Sequence, residues 1–250
     1  MSSIGISTVV FASVFGGALI GMLIRAILPQ QHLSSDSKDV VKLGMALVST
    51  MAAIVLGLLI SSAKSSYDAQ AAELTEMSAK FALLDRVLAH YGEETGEIRG
   101  LLHGSVASTL DRLWPQDPVP TRMGAPTGEA EILFDKTQEL SPKDDKQRLL
   151  QAQAVTLMLD LGRMRWLQFA QGTAAVSMPL LVVLVFWLTI IFVSFGLFAP
   201  ANATVVFTLF VCALSVAGAI FLILELDRPF GGLIQVSSAP LRDALVQWGR

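Results

Sequence analysis

The chain has 250 residues, of which 53% are apolar and only 16% are charged, and its mean hydropathy is +0.59. So little charge cannot coat an ordinary water-soluble globule, and lipid must replace water over part of the surface. The formal net charge of −3 and a pI near 5.6 exclude the basic footprint of a nucleic-acid binder, and a single cysteine, Cys212, excludes an intrachain disulfide and a cysteine-built metal site.

A helix needs about 20 largely apolar residues to cross roughly 30 Å of hydrocarbon. Residues 4–28, 43–62, 176–198 and 205–226 meet that length, which predicts an all-α membrane protein with four transmembrane helices. The first segment lacks a basic leader, is too long for the apolar part of a secretory signal and shows no convincing cleavage site, so it reads as a retained span. Its Gly17 and Gly21 form a G-x-x-x-G pair, a spacing that lets helix backbones approach.

The second span gathers small and polar residues on one side: Ala46, Ser49, Thr50, Ala53, Gly57, Ser61 and Lys64, with Asp68 a turn further on. Leu43, Leu47, Met51, Ile54, Val55, Leu58 and Leu59 form the other side. Two readings fit a small-residue face. It permits close helix packing, or it lines a water-filled pore built from symmetry-related copies. On the second reading Ser49, Thr50, Ala53, Gly57, Ser61 and Lys64 are the pore-lining residues.

Between the second and third spans lies a long helical insertion. From Lys64 to Trp114 the apolar residues Leu74, Met77, Phe81, Leu84 and Leu88 recur at helical spacing, with Glu73, Glu76, Lys80 and Asp85 between them as the solvated side. Gly92, Gly96 and Gly100 then recur at every fourth position and predict a bend or break near residues 92–96, each glycine costing about 1 kcal/mol of helix propensity relative to alanine. The prolines and glycines of residues 115–128 predict a surface loop. A second long helix is expected to begin at Ser141-Pro142, with serine as cap and proline in the first turn, and to run to the third span as the antiparallel partner of the returning helix.

The fourth span carries Thr204, Thr208, Ser215 and Gly218 on one face and ends in Glu225, Asp227 and Arg228, a candidate cytoplasmic mouth or cation site. Pro229 and the following glycines stop that helix, leaving residues 233–237 extended and residues 239–248 as a short amphipathic helix. The expected division is therefore 1–63 for the first two spans, 64–173 for a cytosolic helical insertion, 174–226 for the third and fourth spans and 227–250 for a cytosolic tail.

Lys64, Lys80, Arg163, Arg165, Arg228 and Arg242 lie on the side of the insertion and termini, against Arg25, Lys38 and Lys42 on the other, so both termini are expected in the cytoplasm. Arg25, at the far end of the first span, argues the other way. No phosphate loop, dinucleotide fingerprint, H-E-x-x-H or G-x-S-x-G occurs, and no enzyme is expected. His90 and His103 flank Glu93, Glu94 and Glu97 without a metal-ligand spacing, so a solvated acidic turn is the expectation and no metal site is assigned. The spans hold no ionisable residue before their ends, which favours a passive pathway over a pump or a secondary transporter.

Three runs carry a family resemblance: residues 48–68 around STMAAIVLGLLISSAKSSYD, FWLTIIFVSFGLFAPANAT at 186–204, and LELDRPFGGLIQVSSAPLRDAL from Leu224 onward. Together they resemble the bestrophin-like domain family of bacterial membrane proteins, which is distantly similar to the bestrophin channels. That resemblance implies a multi-pass protein of the bacterial cytoplasmic (inner) membrane, a homo-oligomer and by analogy a pentamer, and an inorganic ion as the passing ligand beside membrane lipid, with no nucleic acid. Asp227-Arg228-Pro229-Phe230-Gly231 resembles the Pro-Phe-Gly element that leads into the calcium clasp of animal bestrophins. Gly232-Leu233-Ile234-Gln235 follows here in place of the acidic run, so no cofactor is expected and bound calcium has only the resemblance behind it. Residues 43–62 also lack the aromatic constriction of that family, which leaves Met45, Met51, Ile54 or Ile60 for any gate. The expected function is an ion channel lined by the second span; the alternative is a non-conducting membrane module that binds a protein partner or senses membrane state. Lys64 in a ring would favour anions, and Asp68, Glu225 or Asp227 would favour cations.

Overall fold

Apolar runs bounded by capping residues set the helices in chain order. The computed structural model describes residues 2–28, 35–114, 128–171, 177–200 and 202–247, and among them there is no strand. The helices are α1 (Ser3–Ile27), α2 (Ser35–Tyr91), α3 (Gly96–Leu113), α4 (Gly128–Gln138), α5 (Asp145–Gln171), α6 (Met178–Phe198), α7 (Ala203–Leu226) and α8 (Ala239–Gln247), with a 3₁₀ turn at Glu93–Thr95. Four of them, α1, α2, α6 and α7, are long and apolar enough to cross a membrane.

Local chemistry explains the ends. The Ser2 hydroxyl accepts the Gly5 N–H at 3.2 Å to start α1, and the Asn202 side chain accepts the Val205 N–H at 2.8 Å to start α7. α2 continues for 57 residues and stops at Gly92, whose φ of 138° is open to glycine and strained for other residues. The break foreseen at residues 92–96 is therefore present. α5 departs from expectation: it begins at Asp145, not at Ser141-Pro142. Asp144 accepts the Gln147 N–H at 2.6 Å and Gln147 returns a bond from the Lys143 N–H at 2.8 Å, and this reciprocal cap overrides the Ser-Pro signal upstream. α4 was not foreseen. The loop expected at residues 115–128 lies outside the described residues except for Gly128, which opens α4, and so does the join between α5 and α6.

The chain forms two compact units. One comprises Met1–Ser66 and Ala174–Arg228, the other Tyr67–Thr173 and Pro229–Arg250. In the first, α1 packs on α6 and α7 around Val14, Ala18, Phe192, Ala213 and Ile220. Gly21 and Gly196 make the α1–α6 crossing close: a Cβ on Gly21 would strike the Val193 carbonyl, and one on Gly196 would strike that of Ala18. Phe11 and Phe15 both meet Phe210 edge-on, at 5.4 and 5.5 Å between ring centres. At the end of α1 the Arg25 guanidinium donates to the Ala199 carbonyl beyond α6.

In the second unit the last third of α2, α3, α4, α5 and α8 enclose Leu74, Met77, Leu84, Leu102, Val106 and Leu241, all buried. Gln151 of α5 donates to the carbonyls of Thr137 and Leu140 at the end of α4, and Arg165 donates to the Thr109 hydroxyl of α3 at 3.3 Å. Residues 229–247 complete this core. Tyr67 donates to the Gln235 carbonyl at 3.2 Å, Trp114 to that of Val236 at 3.0 Å and Ser78 to that of Pro240, while Phe230 meets the Trp114 ring edge-on.

Candidate functional site

α2 presents three sides over residues 43–64. Ala52, Leu59 and Ala63 are buried, with Met45, Val48 and Leu56 half-buried beside them. Of the aliphatic side expected to meet lipid or a core, Leu59 faces inward and Val55 is half-buried. The second side is the small and polar one: Thr50, Ala53, Gly57, Ser61 and Lys64 are exposed and Ser49 is half-buried. A Cβ built at Gly57 meets nothing within 4 Å, so none of the described residues requires the missing side chain. The Thr50 hydroxyl satisfies itself on the Ala46 carbonyl at 2.9 Å, which lets the helix carry a hydroxyl at this depth without a partner helix. The third side, Leu43, Leu47, Ile54 and Leu58, is also exposed.

At the end of α7 the three residues expected to act together differ in setting. Glu225 is buried, Asp227 half-buried and Arg228 exposed. The backbone turns sharply here, with the Arg228 N–H on the Glu225 carbonyl at 3.0 Å, which closes the helix before Pro229. On the outer side of α7, Thr204, Thr208, Ser215 and Gly218 are exposed, and Ser215 and Thr208 bond back to carbonyls one turn earlier.

Sequence periodicity missed one cluster. Asp85, expected on the solvated side of its helix, is buried, its side chain 7% exposed. Arg99 of α3 grips it in two places, Nε to Oδ1 at 2.8 Å and Nη2 to Oδ2 at 3.0 Å, and His103 Nε2 meets Oδ1 at 3.2 Å. Burial pushes this carboxyl up, but the hydrogen bonds from Arg99 and His103 outweigh it and hold the group below the ordinary carboxylate range. His103 is thus a partner of Asp85, and among the described residues no group of three or more His, Cys, Asp or Glu is placed to hold a metal ion. His90 sits instead with its Nδ1 at 2.8 Å from the Arg86 carbonyl. The available signal was the spacing Asp85, Arg99 and His103 across a helix break, which a hairpin of α2 and α3 brings to one level.

No curated protein and no solved structure matches the chain. A family does: the bestrophin-like domain covers residues 11–241, from the middle of α1 through the start of α8. With three candidate spans and most of the first inside that match, the chain is a membrane protein that belongs to the bestrophin-like domain family.

Proposed function

We propose that the protein is an oligomeric ion channel of the bacterial inner membrane whose pore is lined by Ser49, Thr50, Ala53, Gly57, Ser61 and Lys64 of α2 from several copies. The observation that carries this reading is the open small and polar side of α2, set beside an equally open aliphatic side. The aliphatic side is suited to lipid or to a neighbouring helix, whereas glycine, alanine, hydroxyls and Lys64 at the end of the span offer hydrocarbon little contact, so the first side is the one that gains from water. Family membership supports a channel-like protein, and α2 supplies no intramembrane charge for coupled transport. The insertion of residues 64–173, together with both termini, belongs in the cytoplasm on this reading. Of the contrary charges Arg25, Lys38 and Lys42, Arg25 has a structural role as a cap on Ala199, which supports this reading.

The test is labelling by membrane-impermeant thiol reagents of single cysteines in a Cys212→Ser background. Ser49→Cys and Gly57→Cys are expected to react much faster than Leu47→Cys and Leu58→Cys, and bilayer recordings to show currents changed by the same reagents. Equal rates on both sides overturn the lining. A labelled face with no current in bilayers favours the non-conducting module.

A further inference from the structure

We propose that the tip of the second unit, where α2 ends and α5 begins, is a two-position latch in which Glu94 exchanges Lys143 for the hydroxyl of Tyr91 as ionic strength rises. The inference does not depend on the channel reading.

Tyr91 is the last residue of α2 and is 4% exposed. Its hydroxyl is cut off from solvent and has no hydrogen-bond partner, the one buried side-chain polar atom in that condition among the described residues. A phenol that gives up water without gaining an acceptor is penalised, so its place in the fold calls for a reason.

Most of the tip around it is firmly bonded. The Gln147 side chain donates to the Tyr91 carbonyl at 2.9 Å, and Asp144 is committed to the Gln147 N–H at 2.6 Å. The Thr95 hydroxyl lies between the carbonyls of Leu88 and Gly92, at 2.6 and 2.8 Å. These bonds fix the backbone of the turn and tie the end of α2 to the start of α5.

Glu94 is held differently. One of its carboxylate oxygens takes the Lys143 ammonium, and the other lies over Gly92, in the space a Cβ would fill. Both members of the ion pair are open to water, the Lys143 side chain at 73% and that of Glu94 at 43% exposure. Beyond its own backbone N–H, this carboxylate therefore has a solvated and flexible partner, and a side-chain rotation releases it.

Electrostatics singles out Glu94 as the second acceptor. Burial is the first cause that holds the Tyr91 phenol above its ordinary range, and the Glu94 carboxylate is the next, ahead of Lys143 and Asp144. The hydroxyl thus feels Glu94 more than any other charge. The two bonds open to Glu94 also respond differently to salt. Its pair with Lys143 joins full charges in water, which salt screens, whereas a bond from a buried neutral phenol is screened little. Rising ionic strength weakens the first and leaves the second, so Glu94 passes to Tyr91 and Lys143 is freed.

The experiment uses the full-length protein in detergent at low and high salt. Tyr67 and Tyr91 are the two tyrosines of the chain, so isotope labelling of the ring carbon that bears the hydroxyl gives one resonance for each, assigned with Tyr91→Phe. The Tyr91 resonance is expected to move with salt in the wild type and to stay fixed in Glu94→Ala. A wild-type resonance that ignores salt, or a movement that persists in Glu94→Ala, overturns the proposal. Hydrogen exchange of residues 91–97 supplies the second reading. Lys143→Met is expected to speed exchange about threefold in a Tyr91→Phe background and clearly less when the hydroxyl is present to take Glu94. Equal effects in the two backgrounds overturn the latch, and so does faster exchange in Tyr91→Phe alone at low salt, which would show the hydroxyl already bonded.

Discussion

Asp85 shows what one side chain contributes when three donors converge on it. Its carboxylate is nearly out of water, yet Arg99 and His103 satisfy it, so removing it strands the Arg99 guanidinium at the wall of the core. Asp85→Asn is expected to destabilise the second unit by about 2–4 kcal/mol, read as a lower thermal midpoint and faster hydrogen exchange in α2 and α3, with His103→Ala well below that. The pH dependence has a definite sign. A carboxyl held below its unfolded value contributes stability that is complete above an unfolded pKa of about 4 and lost as pH falls through the folded value. Melting of the wild type is therefore expected to fall more steeply below about pH 4 than that of Asp85→Asn; parallel curves would remove the cluster from the account. Periodicity misread this residue for a simple reason. A single helix shows which positions flank an apolar stripe, but α3 decides which flank is covered.

Among the elements, α1 and α6 meet through glycine. Gly21→Ala and Gly196→Ala each drive a methyl into the partner's backbone, and a loss of about 1–3 kcal/mol per site is expected from overpacking. Gly16 is the control: a Cβ there meets nothing within 4 Å, so Gly16→Ala is expected to be neutral or slightly stabilising through helix propensity. Thermal aggregation of the detergent-purified variants distinguishes these outcomes, and equal behaviour of Gly16→Ala and Gly21→Ala would refute the close crossing. The Gly17 and Gly21 pair was legible in the sequence because its spacing is local. Gly196 was not, since a lone glycine in α6 acquires meaning only opposite Ala18. The limits of α1, α6 and α7 were legible to within about two residues because apolar runs of spanning length set them, whereas α2 runs far past residues 43–62 on both sides as a helix that turns polar. The start of α5 was misplaced because two capping signals, Ser141 and Asp144, stood three residues apart and Asp144 with Gln147 proved the stronger.

At the scale of the whole molecule, the two units share an architecture in which early and late parts of the chain meet. α1 packs on α6 and α7, and Tyr67, Ser78 and Trp114 hold the carbonyls of residues 235–240. Truncation after Ile234 removes Val236, Leu241 and Ala244 from a core and leaves three donors without their acceptors. The truncated protein is expected to insert in the membrane but to be cut rapidly by protease within residues 67–171, whereas Trp114→Phe, which loses one hydrogen bond and keeps the ring, is expected to lower stability by about 1–2 kcal/mol. Resistance of the truncated form equal to wild type would show that residues 235–247 are dispensable for that unit. The candidate lining is legible at this scale only in part. Thr50, Ala53, Gly57 and Ser61 share one side of α2 by periodicity, but the pattern within one chain does not encode what covers that side.

The fastening of residues 229–247 onto Tyr67, Ser78 and Trp114 also sets an order of events during synthesis. α2 leaves the ribosome long before Val236 and Leu241 exist, so its buried face, with Leu74, Met77 and Leu84, waits without its last cover for more than 150 further residues. At about 5–20 residues per second that interval is on the order of ten seconds. For that time the nascent chain displays a leucine-rich surface beside the membrane, and holding it apart from other chains falls to the insertion machinery and to chaperones.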